Sequence, residues 1–304
     1  MQHLFRTAGV VVGATGAMLG AVYGMLSQQG RRARRDIMIP GWFPFRADGM
    51  YLPDGTGPHP AAAPAIAMYA STAERSPVLR LAMLGDSLAA GLGVDQPEQL
   101  PGVVLARGLA KDSGRPVKLD TLAICGCTSR RLAGQVDAAL TNPPHAALIM
   151  IGANDVTKQI PPWESARLLG AAVSRLRAVG TTVIAGTCPD LGTIPQIPQP
   201  LRTVAHTSSW ALARRQRDAI AAAGGLPVLL AQLLARDFRT QPDILFSRDH
   251  FHPSTAGYEA ACSVLLPTLC SALRDGYADD WAATRSGSRT AAEGSPGTAR
   301  PGSP

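Results

Sequence analysis

A chain of 304 residues with 46% hydrophobic side chains and few aromatics is too apolar for a disordered protein and long enough for one domain with a large core. Its formal charge of +7 does not point to nucleic acid. Residues 1–36 hold five arginines against one aspartate, the tail from Asp275 holds three arginines against four acids, and the mildly basic body between them shows no Lys/Arg stripe with interleaved aromatics.

Ala8 to Leu26 is a run of 19 residues without a charge. As a helix it would be roughly 28 Å long, about one hydrocarbon thickness. Gly16, Gly20 and Gly24 recur at every fourth residue and make one face smooth enough for helix–helix contact. The expectation is a membrane anchor through residues 8–26; a cleaved signal peptide is the alternative, although no A-x-A site follows promptly. Arg31, Arg32, Arg34 and Arg35 follow the run, and counted literally they hold the body on the cytoplasmic side. Beside an apolar segment, such a cluster suits anionic lipid.

Residues 37–78 are rich in Pro, Gly and Ala without helical or strand period, and read as an irregular preface and linker. From Arg80 short apolar runs alternate with amphipathic stretches, the rhythm of a parallel sheet wrapped by helices. Strands are expected at Leu81–Leu84, Val117–Ala123, Ala146–Ile151, Thr182–Gly186 and, more weakly, Pro227–Leu230. Helices are expected near 96–112, 129–140, 162–179, 203–223 and 254–273. Pro189–Pro200 holds four prolines and should be a rim or lid loop. The Ser/Gly/Pro/Arg mixture of residues 275–304 is expected to be disordered. The organisation is therefore an anchor with a basic flank (1–36), a preface (37–78), an α/β domain (79–274) and a tail.

Four loops carry side chains with chemistry. The first strand ends in Gly85-Asp86-Ser87-Leu88, which places a hydroxyl at the edge where α/β sheets bind ligands; a helix N-cap serine is the plainer reading. After the second strand comes Cys125-Gly126-Cys127, whose glycine is either a turn former or a backbone donor to an oxyanion. The third runs into Gly152-Ala153-Asn154-Asp155, where Asn154 can shape a turn or aim its amide at the same oxyanion. Ahead of the last helix stands Arg248-Asp249-His250-Phe251-His252-Pro253. Asp249 can orient His252, and His252 can take a proton from Ser87; His250 is the competing base. In a sheet of order 2-1-3-4-5 the first strand lies between the second and third, so Ser87 falls between Gly126 and Asn154.

Together, Gly85-Asp-Ser-Leu, Gly126, Gly152-x-Asn154-Asp155 and Asp249-x-x-His252 resemble the four signature blocks of the SGNH (GDSL-type) serine hydrolases, over residues 80–273. The resemblance implies a three-layer αβα, flavodoxin-like fold acting on carboxylic esters without cofactor or metal. It makes Ser87 the nucleophile, His252 the base and Asp249 its partner, with Ser87 N–H, Gly126 N–H and the Asn154 amide as oxyanion donors. The anchor, arginine cluster and preface look like an actinobacterial subgroup of exported or membrane-associated esterases of the cell envelope. Cys127 departs from the aspartate that related thioesterase and lysophospholipase members often carry there, which bears on substrate choice. An acyltransferase or deacylase acting on a sugar or glycolipid would use the same triad. A metal hydrolase built on His250 and His252 lacks a third placed ligand, and a nucleotide-binding module lacks a P-loop, since Gly91-Leu-Gly93 has no third glycine. Cys262 and Cys270 are either a disulfide or two buried thiols. His145, His206, Arg130, Arg131 and Lys158 are expected at the surface.

Overall fold

The computed structural model describes residues 24–32, 43–60 and 78–292. Most of the apolar run 8–26, and the residues from 293 onward, lie outside them. Six strands form one sheet: β1 (Gly49–Tyr51), β2 (Leu79–Gly85), β3 (Val117–Thr121), β4 (Ala146–Met150), β5 (Thr182–Gly186) and β6 (Leu226–Val228). The spatial order is β1-β3-β2-β4-β5-β6, parallel from β3 to β6, which is the expected 2-1-3-4-5 order with one strand added. That added strand corrects the reading of the preface as irregular. Gly49–Tyr51 pairs antiparallel with β3, Tyr51 opposite Val117, and buries Met50, Tyr51 and Leu52.

Side chains alternate across the sheet with the strand period of two. Leu81 and Met83 of β2, Leu148 and Met150 of β4 and Ile184 of β5 face one core. Ala82 and Leu84, Ala147 and Ile149, Val183 and Ala185 face the other. Because β2 and β4 are covered on both sides, they read as continuous apolar runs. The first face is covered by α2 (Pro101–Ser113, Val103, Leu105 and Leu109) and by the last helix α9 (Thr255–Ala292, through Tyr258, Cys262, Leu265 and Leu269). The second is covered by α3 (Leu132–Leu140), α5 (Pro162–Arg177) and α6 (Leu201–Ala222).

The short α1 (Ser87–Ala90) and α4 (Ala153–Thr157) start directly beyond β2 and β4. Two further helices, α7 (Leu230–Thr240) and α8 (Pro242–Leu245), fill the stretch after the fifth strand, where no element was expected. Backbone helix also continues in α9 well beyond the expected end at 273. Its segment Thr255–Arg274 is long and apolar enough to cross a membrane, but Tyr258, Leu265 and Leu269 are completely buried in the protein core, the mark of an internal helix. Cys262 and Cys270 are free buried thiols, as are Cys127 and Cys188; Cys125 is free and exposed.

Candidate active site

Ser87 opens α1 at the tip of β2. Asp86 caps that helix, its carboxylate accepting from the Leu88 N–H at 2.9 Å. Gly85 has to be glycine: at φ +134° a Cβ would lie 1.8 Å from the Met150 carbonyl oxygen of the neighbouring strand. The same residue is held by the buried Gln135 of α3, which accepts from Gly85 N–H at 2.7 Å and donates to its carbonyl at 2.8 Å. The nucleophile turn is thereby fixed from both sides.

His252 Nε2 lies 2.9 Å from Ser87 Oγ, and His252 Nδ1 lies 2.6 Å from Asp249 Oδ2. Since the carboxylate can only accept, Nδ1 carries the proton and Nε2 is left to accept from the hydroxyl. The second Asp249 oxygen accepts three donors, each at 2.9 Å: Ser247 Oγ, Phe251 N–H and His252 N–H. Burial pushes the Asp249 carboxyl up, but the imidazole and these backbone donors outweigh it and hold the group below the usual range. Both ring nitrogens of His252 are engaged in these two bonds. His250 occupies the left-handed turn of the loop (φ +48°), and His252 is the imidazole bonded to Ser87.

That loop is closed at its neck and packs against the segment that follows α1. Ser247 N–H donates to His252 O at 2.8 Å and Phe246 bridges Pro253, closing its neck. Tyr258 of α9, fully buried, donates to the Leu92 carbonyl beyond α1 at 2.9 Å. Gly93, at φ +123°, gives the loop room: a Cβ there would come within 2.2 Å of Pro253 O.

The two loops expected to supply oxyanion donors flank Ser87. Asn154 donates to Asp86 Oδ2 at 3.3 Å, which ties its amide to the nucleophile turn. Gly126 sits exposed in a turn at φ +73°, and its carbonyl accepts from Lys158 Nζ at 2.7 Å. Completely buried, Asp155 binds the far end of the same turn, accepting from Ser129 N–H at 3.0 Å and Ser129 Oγ at 2.8 Å. One short helix thus carries Asn154 and Asp155, is followed by Lys158, and fixes the Gly126 turn in register with Ser87. Burial raises the pKa of Asp155, and it raises that of Asp86 to about 6 against the hydrogen bond from Leu88.

A narrow apolar cavity of about 80 Å³ opens on Ser87 and His252. Leu230, Leu234 and Phe238 of α7 form one wall, and Leu191 and Ile194 of the proline-rich loop form another. The loop is a fastened rim: the buried Asp190 accepts from Gly192 N–H at 2.8 Å and bonds His206 Nδ1 at 2.9 Å.

Several of these residues were not expected to matter. His206 holds the rim, Lys158 holds the Gly126 turn, His145 is half-buried and accepts the Arg80 N–H at 2.9 Å, and Arg130 forms a two-pronged ion pair with Glu164. Gln135 had a legible signal, a polar residue inside the apolar stripe Leu132, Val136, Ala139. Gln216 shows the same signal between Leu212 and Ile220; it donates to Ile151 O at 2.9 Å and accepts from Cys188 N–H at 2.7 Å.

A serine hydroxyl at a strand tip, an imidazole and a buried carboxylate on a late loop form the arrangement of a serine hydrolase on the flavodoxin-like αβα architecture. Residues 83–260 match the GDSL-like lipase/acylhydrolase family, and the chain belongs to that family and is a carboxylic ester hydrolase. It is 44% identical over 273 residues to the GDSL-like esterase Rv1075c of Mycobacterium tuberculosis, covering 88% of this chain and 83% of the relative. Among solved structures, it is similar in fold to TesA, with a TM-score of 0.52 at 23% identity over 64% of this chain and 99% of TesA. The lipase/acylhydrolase of Enterococcus faecalis matches with a TM-score of 0.50 at 20% identity, over 64% and 96%.

Proposed function

We propose that the chain hydrolyses esters by two-step acyl transfer through Ser87, His252 and Asp249. The supporting observation is the unbroken line Ser87 Oγ–His252–Asp249, with contacts of 2.9 and 2.6 Å. Ser87 attacks the ester carbonyl as His252 removes its proton, and the imidazolium is balanced by Asp249, which stays ionised because its pKa is depressed. The oxyanion is met by the N–H groups of Ser87 and Gly126 and by the Asn154 N–H that is not spent on Asp86. His252 then protonates the leaving alcohol, and a water activated in the same way releases the acid. The apolar cavity takes the acyl group.

Residues 8–26, on this reading, tether the domain to a membrane, their arginine flank lying against anionic lipid. Ser87→Ala tests the chemistry. It should leave the melting temperature within a few degrees and reduce p-nitrophenyl butyrate turnover at least 10³-fold, the scale of losing a triad nucleophile. Retained turnover would remove Ser87 from the mechanism.

A further inference from the structure

Beside the catalytic cavity lies a larger groove of about 520 Å³. Ile160 and Pro162 at the entry to α5, with Leu201, Val204 and Ser208 of α6, line its inner side, and Leu26 and Gly30 of the helix 24–32 line its outer side. Leu191 and Phe251 line both spaces, so the groove and the cavity are neighbours. Among the described residues Arg31 is the one charged side chain on it. The outer helix is attached to the rim loop: Gln29 Nε2 donates to Gln199 O at 2.9 Å, and Leu201 N–H donates to Gln29 Oε1 at 3.3 Å.

We infer that this groove receives the acyl chain of a membrane-lipid ester, with the ester carbonyl at Ser87 and the tail lying between α6 and the helix 24–32. The inference rests on the triad reading and extends it to a substrate class. Three observations carry it. The groove is mostly apolar, with Ser27, Thr157, Gln159 and Ser208 as its uncharged polar side chains, and its apolar part suits a hydrocarbon ligand. It adjoins, through Leu191 and Phe251, the smaller cavity of about 80 Å³ at Ser87. Its outer wall, the helix 24–32, overlaps in sequence the end of the uncharged run Ala8–Leu26, the segment proposed to meet the membrane.

Filling the groove separates long esters from short ones. Val204 is 44% exposed, so Val204→Trp can be accommodated without disturbing the core, and Ser208→Trp fills the same space one residue row further along α6. With full-length protein, kcat/KM for p-nitrophenyl laurate should fall at least tenfold in each variant, with p-nitrophenyl acetate within twofold of wild type and melting temperature unchanged. Unaltered laurate turnover in both variants would overturn the inference. So would a parallel loss on both esters in the properly folded Val204→Trp protein, or a wild type that hydrolyses acetate but not laurate. Acetate hydrolysis that disappears in Ser87→Ala leaves the triad reading standing in each of those cases.

Discussion

Asp86 is the residue whose environment most conflicts with its charge. It is completely buried between the Ser87 turn, Asn154 and His252, and burial lifts its pKa from 3.8 to about 6. For an acid whose folded pKa is raised, the native state binds more protons than the unfolded chain between those two values. Stability therefore falls as pH rises through that window, and the cost is complete above pH 6. At about 1.4 kcal/mol per unit the penalty is on the order of 3 kcal/mol. Asp86→Asn keeps an acceptor for Leu88 N–H and removes the charge. It should melt above wild type at pH 8, and the difference should disappear near pH 4; a constant difference across that range would assign the gain to packing. Asp249 has the opposite sign. Its depressed pKa contributes stability that is present above the unfolded value and is lost as pH falls through the folded one. Asn154 carries one bond to Asp86 and, in the proposed mechanism, a second N–H for the oxyanion, so Asn154→Ala should lower kcat by about 10²-fold with KM nearly unchanged. A rise in KM at constant kcat would make it a substrate-binding residue.

Among the elements, short α4 does more than its five residues suggest, because Asn154 and Asp155 on it and Lys158 at its end join the nucleophile turn to the Gly126 turn. Removing the Lys158 tether frees the Gly126 peptide without touching substrate. Lys158→Met should reduce kcat several-fold, with Lys158→Arg recovering most of it; equal losses in the two would mean that the bond to Gly126 O is not what matters. On the other side, Gly93→Ala would force the His252 loop away from a 2.2 Å clash with Pro253 O. Activity should fall by more than tenfold while the sheet remains folded, as followed by circular dichroism.

The four candidate loops were legible in the sequence because each is a contiguous motif, three of them beyond expected strands and the fourth ahead of the last helix. Their tethers were not. Lys158 and Gln135 bind across 32 and 50 residues of chain, and no local pattern specifies the partner. Helix α7 was missed although Leu230, Leu234 and Phe238 recur at helical spacing, because the weak strand before it merges with its first turn.

At the scale of the whole molecule, residues 43–60 of the preface pack as part of the α/β domain. Tyr51 is fully buried against β3 and α2, with Arg107 5.7 Å from its ring centre and donating to Gly57 O at 3.0 Å. The strand was invisible beforehand, since three residues of β-structure in a Pro/Gly-rich stretch carry no period and form only by pairing with an edge far along the chain. By covering β3 it also shields an edge that would otherwise offer unpaired backbone to another chain. Tyr51→Ala should therefore destabilise the domain by about 3–5 kcal/mol in urea unfolding. An effect below about 1 kcal/mol would return the preface to the role of a linker.

The central claim is that Ser87, activated by His252, is the acylated atom. Reaction with a fluorophosphonate followed by tryptic digestion and mass spectrometry tests it directly, because Leu81–Arg107 is one tryptic peptide containing Ser87 as its single serine. The expected result is stoichiometric phosphonylation of that peptide at Ser87, with labelling slowed at least 10²-fold in His252→Ala. Label on another residue, or an unchanged rate in His252→Ala, would contradict the account.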